Sequence, residues 1–177
     1  MVAETYDLDA LDVSLIEALV DHPRAGALEL SRQLSVARAT VQARLGRLED
    51  AGVIVGYGPD LDLRRAGYPV HAFVTLEIAQ GRLDDVANEL AAVPGILEAY
   101  ATTGAADVLC RLAATSHEDL QEILLQLGRL ASVVRSTSVI TLSVVVPPRV
   151  LPLLKNRPHV GAVRAPAYRS PSRPTSR

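Results

Sequence analysis

The segment "SVARATVQARLGRLEDAGVI", Ser35 to Ile54, carries Arg38, Arg44 and Arg47 and meets no acid until Glu49. The 177-residue chain around it holds 18 Lys and Arg against 20 Asp and Glu, a formal net charge of -2. An acid-free helix length in an acidic chain is explained by the face each residue occupies. Wound at about 100° per residue, Val41, Leu45 and Leu48 fall on one stripe, which must be buried. Ala39, Ala43 and Gly46 lie opposite, flanked by Thr40, Gln42 and Arg47, with Arg38 and Arg44 nearer the edges of the stripe. The outer face is flat at its centre and basic at its rim.

A glycine inside a helix costs ~1 kcal/mol relative to alanine, so Gly46 points to something that approaches closely. A DNA major groove is one such surface: small side chains admit the helix, Arg and Gln reach base edges, and Ala or Thr touches thymine methyls. A solvated basic face holding acidic neighbours is the alternative, and the flanking sequence separates the two. "LDALDVSLIEALVDHPRAG" spaces Leu8, Leu11, Leu15, Ile16 and Leu19 as a helix, stopped by His22, Pro23 and Gly26. "ALELSRQLS" follows as a short helix with Leu30 and Leu34 four apart, "SVA" breaks the pattern, and a third helix runs from about Arg38 to Asp50 before Gly52. A short helix, a three-residue turn and a basic helix is the helix-turn-helix order, in which the second helix of the pair enters the groove. "VIVGYGPDLDL" then alternates as a β-hairpin or hinge strand, the start of a wing, and "RRAGYP" closes this part near residue 69.

From residue 70 the period changes to two. "VHAFVTLEI" sets Val70, Ala72, Val74, Leu76 and Ile78 on one face of a strand and His71, Phe73, Thr75 and Glu77 on the other. "GRLDDVANELAAVPG" is an amphipathic helix with Leu83, Val86, Ala87 and Leu90 inward. Strands "ILEAYATT" and "DVLCRLAA" follow, and then a helix capped by Thr115 or Ser116 with Glu118 or Asp119 in reply. "VVRSTSVITLSVVV" is a long last strand ended by Pro147 and Pro148. The fold class is therefore α+β: a winged helix-turn-helix domain over residues 1–55, a hinge over 56–69 and a ferredoxin-like βαββαβ domain over 70–150. Residues 151–177 are expected to be a disordered basic tail, either simply solvated, an expression scar, or an electrostatic arm for DNA. Lys155, Arg157, Arg164, Arg169, Arg173 and Arg177 stand there with no acid.

Other function classes find little support. Cys110 is the single cysteine, which excludes an internal disulfide framework and a cysteine-built zinc site. His22, His71, His117 and His159 are scattered without metal-ligand spacing or a paired nucleophile, so neither a catalytic set, a metal nor a cofactor is expected. Although 49% of residues are hydrophobic, none of the apolar runs reaches eighteen and no signal segment opens the chain, so a cytoplasmic location without membrane contact is expected.

Together, "LDALDVSLIEALVDHPRAGALELSRQLSVARATVQARLGRLEDAGVIVGYGPDLD" and, further on, "TTGAADVL" resemble the feast/famine, or Lrp/AsnC, transcription regulators over about residues 7 to 150. The resemblance implies a double-stranded-DNA-binding regulator that responds to a small-molecule effector, an amino acid or a related metabolite. It places Arg38, Ala39, Thr40, Gln42, Ala43, Arg44 and Arg47 on the recognition helix, with Arg44 and Arg47 at positions where basic residues commonly meet DNA. It also assigns effector binding to Thr102, Thr103, Gly104, Ala105 and Asp107, with Thr137 and Ser138 on the last strand. Three departures stand out: Ser35 replaces a frequent turn glycine, Ala37 a frequent capping serine, and Ala105 and Ala106 bulkier or polar residues. Independently of the resemblance, Gly104 permits a backbone that exposes amides, and Asp107 offers a carboxylate to an ammonium group. A plain β-turn is the alternative reading of that loop.

The second face of the sheet, with Phe73, Thr75, Thr137, Val139 and Val145, is too apolar for full exposure, which suggests pairing with a second copy. The resemblance implies a dimer built on these sheets, often a tetramer of dimers, and a two-fold dimer would present two recognition helices to half-sites spaced by whole helical turns. Two competing functions remain open at this point: an architectural oligomer that compacts DNA without sensing a ligand, and an amino-acid-binding regulatory module of a metabolic enzyme.

Overall fold

The computed structural model describes residues 6–156. Two compact units emerge: one holds residues 6–59 together with 148–156, the other Asp60–Pro147.

The first unit is built from α1 (Ala10–Asp21), α2 (Ala27–Gln33) and α3 (Arg38–Asp50), with α6 (Leu151–Lys155) returning to it. Asp9 starts α1 through a reciprocal capping box: its carboxylate accepts from the Asp12 amide at 2.9 Å, and the Asp12 carboxylate accepts from the Asp9 amide at 3.2 Å. Leu15, Leu30, Val41 and Leu48 are almost completely buried and bind the three helices into one core. Truncating any of these leucines to alanine removes ~2–5 kcal/mol, a large share of what so small a core provides. The turn between α2 and α3 passes through Ser35 at φ 54, the left-handed region where glycine is at home. The structure thus shows why glycine is frequent there and why serine sits under strain.

The expected wing strand does not form. Gly52, at φ +67, folds the chain back so that the Val53 and Ile54 amides both donate to the Leu48 carbonyl, at 2.9 and 3.0 Å. Those two residues cap α3 and pack on its core instead of starting a hairpin, and no strand is formed over residues 53–69.

The second unit is a four-stranded antiparallel sheet of order β2-β3-β1-β4, made of β1 (Val70–Ile78), β2 (Ile96–Ala101), β3 (Val108–Ala114) and β4 (Val133–Ile140). The crossovers are α4 (Leu83–Ala91) and α5 (His117–Gly128), so the βαββαβ order read from the sequence is the one observed. Ala72, Val74, Leu76, Cys110 and Leu112 point to one face and pack under Val86, Leu90, Leu120 and Leu127 of the two helices. Ser116 caps α5 by accepting from the Asp119 amide, while the Asp119 carboxylate accepts from the Thr115 amide and hydroxyl.

Two boundaries differ from expectation. β4 stops at Ile140, and Leu142, Val144, Val145 and Val146 are exposed outside any strand. The register explains this: Ile140 pairs with Ala72 and Thr141 makes the last bond, to the His71 carbonyl, so further residues would face Pro69, which has no amide to donate. The tail begins later than residue 151. Leu154 packs against the helix-turn-helix core and the Lys155 ammonium pairs with the Glu17 carboxylate, which holds α6 on α1. The disorder expected beyond that point concerns residues 157–177, outside the described residues.

Candidate nucleic-acid interface and effector loop

Burial of Val41 and Leu48 fixes the rotation of α3 and so decides which of its side chains reach solvent. Arg38, Ala39, Gln42, Ala43 and Arg47 are exposed, Thr40 is half-buried, and a Cβ built on Gly46 would meet nothing within 4 Å. The exposed surface is therefore flat over Ala39, Ala43 and Gly46, with two arginines and a glutamine around it and acids only in the last turn. One of these acids, Glu49, accepts the Tyr57 hydroxyl at 2.6 Å. That bond, together with burial, pushes the Tyr57 phenol up to about 12, with burial the larger cause.

Arg44 does not belong to this surface. It lies three residues after Val41 and four before Leu48, within about 60° of both on the helix, and it turns toward α1. Its Nη1 donates to Asp9 Oδ2 at 2.5 Å and to Asp12 Oδ1 at 2.8 Å, and its side chain is only 12% exposed against 2% for Asp12. The sequence reading sent Arg44 to DNA; in the structure its guanidinium is engaged by these two carboxylates instead of standing on the exposed face of α3. Burial alone would raise the Asp9 carboxyl, but the Arg44 hydrogen bond, the Asp12 amide and the guanidinium charge outweigh it and hold it below the usual carboxylate range. The same carboxylates keep Arg44 more firmly protonated than usual, against a burial effect of opposite sign. Asp9 and Asp12 were missed as its partners in the sequence. The Asp-x-x-Asp capping signature announces a helix start, but nothing local links it to an arginine more than thirty residues away.

In the second unit the β2–β3 connection closes as a tied loop. The Thr102 amide donates to the Asp107 carbonyl at 2.8 Å, the Thr102 hydroxyl to the Ala106 carbonyl at 2.8 Å, and the Asp107 amide to the Leu76 carbonyl at 2.9 Å. Gly104 sits at φ 124, a conformation that Thr103 or Ala105 could not adopt without strain, and these three residues form the exposed tip. The Asp107 carboxylate accepts from the Ile78 amide at 2.8 Å, so it is anchored where β1 leaves the sheet. Asp107 and Thr102 line a cleft of about 290 Å³ with Ile78, Ala79, Gln80, Gly81, Leu83 and Ala101.

Thr137 and Ser138 are not brought to this loop. Thr137 pairs with Thr75 and Ser138 with Val74, so the two side chains point to opposite faces of the sheet, and the whole width of β1 separates β4 from β3. Strand alternation divides the two side chains, so within this chain the structure does not bring them together with the Thr102–Asp107 loop.

Residues 71–151 match the family model of the Lrp/AsnC ligand binding domain, and residues 8–55 that of a winged helix-turn-helix DNA-binding domain. The HTH-type transcriptional regulator FL11 of Pyrococcus horikoshii is 30% identical over 135 residues, 76% of this chain and 89% of the relative. The chain belongs to the Lrp/AsnC family. Regulatory protein AsnC of Escherichia coli is 27% identical over 135 residues, with the same 76% and 89% coverage. The solved structure of E. coli AsnC superposes with a TM-score of 0.78 at 25% identity, covering 83% of this chain and all of that one. The fold is also that of the Neisseria meningitidis regulator NMB0573, solved as a complex with L-Met, at a TM-score of 0.74 and 24% identity, covering 79% of this chain and 93% of that one. This Lrp/AsnC chain is a ligand-responsive, DNA-binding transcription regulator. Its curated relatives carry the names of transcription regulators. Among the described residues no cluster of His, Cys, Asp and Glu could hold a metal, and no helix is long and apolar enough to cross a membrane. Burial pushes the Cys110 thiol up to about 11, away from nucleophilic chemistry.

Proposed function

We propose that this Lrp/AsnC regulator reads operator DNA with Arg38, Thr40, Gln42 and Arg47 of α3, over the small-residue floor of Ala39 and Ala43. The observation that carries this reading is the division of the arginines on α3. Arg44 is spent inside the unit, while Arg38 and Arg47 stay exposed beside Gln42 on a surface that is acid-free until the last turn. A flat basic surface of this kind suits a major groove, with the arginines serving guanine edges or phosphates and Gln42 an adenine edge.

The effector in this proposal is a free amino acid held at the Thr102–Asp107 loop, without any metal or cofactor. An anchored carboxylate beside backbone amides is suited to an ammonium and a carboxylate on one small molecule. The L-Met bound by the Neisseria relative supports that choice of class. The open sheet face, where Phe73, Tyr100 and Val139 are all exposed around an Arg111–Glu98 ion pair of 2.8 Å, is proposed to pair with a second copy. A dimer of this kind, alone or assembled further, delivers two α3 helices to a pseudo-palindromic operator. A cytoplasmic, non-enzymatic role follows from the same reading.

The test is capture of genomic DNA fragments by the purified protein at near-physiological salt, with and without a pool of the twenty amino acids. Enrichment of a few fragments, altered by the pool, is the expected result. Sequence-indifferent capture would replace the proposal with an architectural role, and no capture in either condition would favour the metabolic regulatory module.

A further inference from the structure

The cleft of about 290 Å³ beside the β2–β3 loop carries a set of charges that separates one amino acid from another. Among the described residues that line it, Asp107 is the one ionisable group, and no Lys, Arg or His joins it. The charges flanking the cleft are paired with one another: Arg82 Nε with Asp85 Oδ2 at 2.9 Å, and Arg135 with Glu77 at 3.8 Å. Asp107 accepts from the Ile78 amide through Oδ2, which leaves Oδ1 without a partner among the described residues. Two and three residues beyond that amide, Gln80 and Gly81 are exposed in a turn closed by the Arg82 amide donating to the Ala79 carbonyl at 3.1 Å. Gly81 takes φ 77 there, and neither the Gln80 nor the Gly81 amide has an acceptor among the described residues. Free amides of a turn favour an anion, so the cleft offers one acceptor to an ammonium and donors to one carboxylate.

The rest of its wall is apolar. Leu83, which the amphipathic pattern of α4 sends inward, is 46% exposed, whereas Val86 and Leu90 of the same helix are buried. As the first residue of α4 it stands outside the helix–sheet core and lines the cleft with Ile78 and Ala101.

We infer that the effector carries an uncharged, apolar side chain, packed on Leu83, Ile78 and Ala101, while its ammonium meets Asp107 Oδ1 and its carboxylate the Gln80 and Gly81 amides. The inference rests on the proposal that the Thr102–Asp107 loop holds a free amino acid, and adds which class of amino acid it is. A side-chain carboxylate would enter the cleft with no cation to meet it, and an unpaired charge against an apolar wall is costly. A side-chain ammonium or guanidinium would compete with the α-ammonium for the single carboxylate. Of the uncharged polar groups, the Thr102 hydroxyl already donates to the Ala106 carbonyl at 2.8 Å, and Gln80 is solvated. An apolar side chain takes Leu83 out of water and leaves no polar group of its own unpaired.

The experiment is isothermal titration calorimetry of the purified full chain, without DNA, against single L-amino acids. Leucine, methionine and valine form one set, asparagine and glutamine a second, and aspartate, glutamate, lysine and arginine a third. The first set should bind about tenfold more tightly than the other two. Leu83→Ala should weaken leucine binding by about tenfold, and Leu83→Lys, which supplies the missing cation, should move the preference toward glutamate. Leu83 is too exposed for either change to unfold the domain, which circular dichroism checks. Tightest binding by a charged or amide-bearing amino acid overturns the inference, as does a Leu83→Ala variant that binds leucine like the wild type. Asp107→Asn tests the loop separately, because its amide oxygen can still accept from Ile78 while the negative charge is gone. Undiminished binding in Asp107→Asn, or no binding of any amino acid to the full chain, removes the loop as the site and this inference with it. Binding that Asp107→Asn abolishes, but that favours a charged amino acid in the wild type, leaves the loop in place and sinks the apolar side chain alone.

Discussion

Changing Arg44 to alanine separates an arginine that holds the fold from one that holds DNA. In the folded unit Arg44 neutralises two carboxylates, Asp9 at 2.5 Å and Asp12 at 2.8 Å, and Asp12 has almost no exposure of its own. Removing one partner of a fully buried pair costs ~3–5 kcal/mol, chiefly because the remaining charge is left uncompensated. Here the rim of the site is partly open, with Asp9 18% and Arg44 12% exposed, so water can enter and the expected loss is nearer ~2–3 kcal/mol. A unit of this size shifts by ~4–8 °C per kcal/mol, which puts the fall in its melting temperature at ~10–20 °C. Hydrogen exchange read by mass spectrometry should show α1 and α3 amides losing protection together while β1 and β3 keep theirs. The loss should also depend on pH in a defined direction. The Asp9 carboxyl is held below its ordinary value of 3.8, so its contribution is complete above about pH 4 and fades as the pH falls through the depressed value. The gap between wild type and Arg44→Ala should therefore be widest near neutrality and close in acid. A chain carrying Arg44→Met with Asp9→Asn and Asp12→Asn should recover much of the stability, since no charge is left unpaired. Unchanged protection in Arg44→Ala, combined with weakened DNA binding, would refute this reasoning and return Arg44 to the recognition surface.

Arg47→Ala should leave exchange protection intact, weaken binding to any duplex and lower the salt slope by about 1, a pattern opposite to that of Arg44→Ala in the same two assays. Ala37→Ser should stabilise the first unit by ~1 kcal/mol, because Ala37 has the extended backbone of an N-cap but offers no side-chain acceptor to α3; a denaturant midpoint that does not rise would argue against the cap geometry. Gly104→Val should strain the loop by ~1–2 kcal/mol at its positive φ and suppress the amino-acid response in DNA capture while DNA binding itself persists. Phe73→Asp, on the open sheet face, should convert the protein to monomers in sedimentation experiments without unfolding the sheet; an unchanged sedimentation coefficient would remove that face from the assembly.

What could be read from the sequence, and what could not, divides by the range of the interactions involved. The rotation of α3, the strand faces of β1 and the cap of α5 depend on neighbours within one or two turns or on alternation, and the periodicity of Val41, Leu45 and Leu48 or of Ala72, Val74 and Leu76 carries them directly. The end of β4 depends on a proline more than seventy residues upstream, and the failure of the wing depends on Gly52 turning two apolar amides back onto Leu48, where alternation alone reads as a strand. Arg44 is the most instructive case. Its position at the edge of the buried stripe was legible, but an arginine at such an edge can swing outward to phosphate or inward to a carboxylate, and only the tertiary placement of Asp9 and Asp12 decides. The same reasoning strengthens the choice of Arg38 and Arg47. Among the described residues no ion pair claims them, whereas Lys155 and Arg44 each hold a carboxylate of α1 or its cap. Basic side chains near acids stabilise this fold, and the two on the acid-free stretch of α3 are the ones the proposed DNA contact draws on.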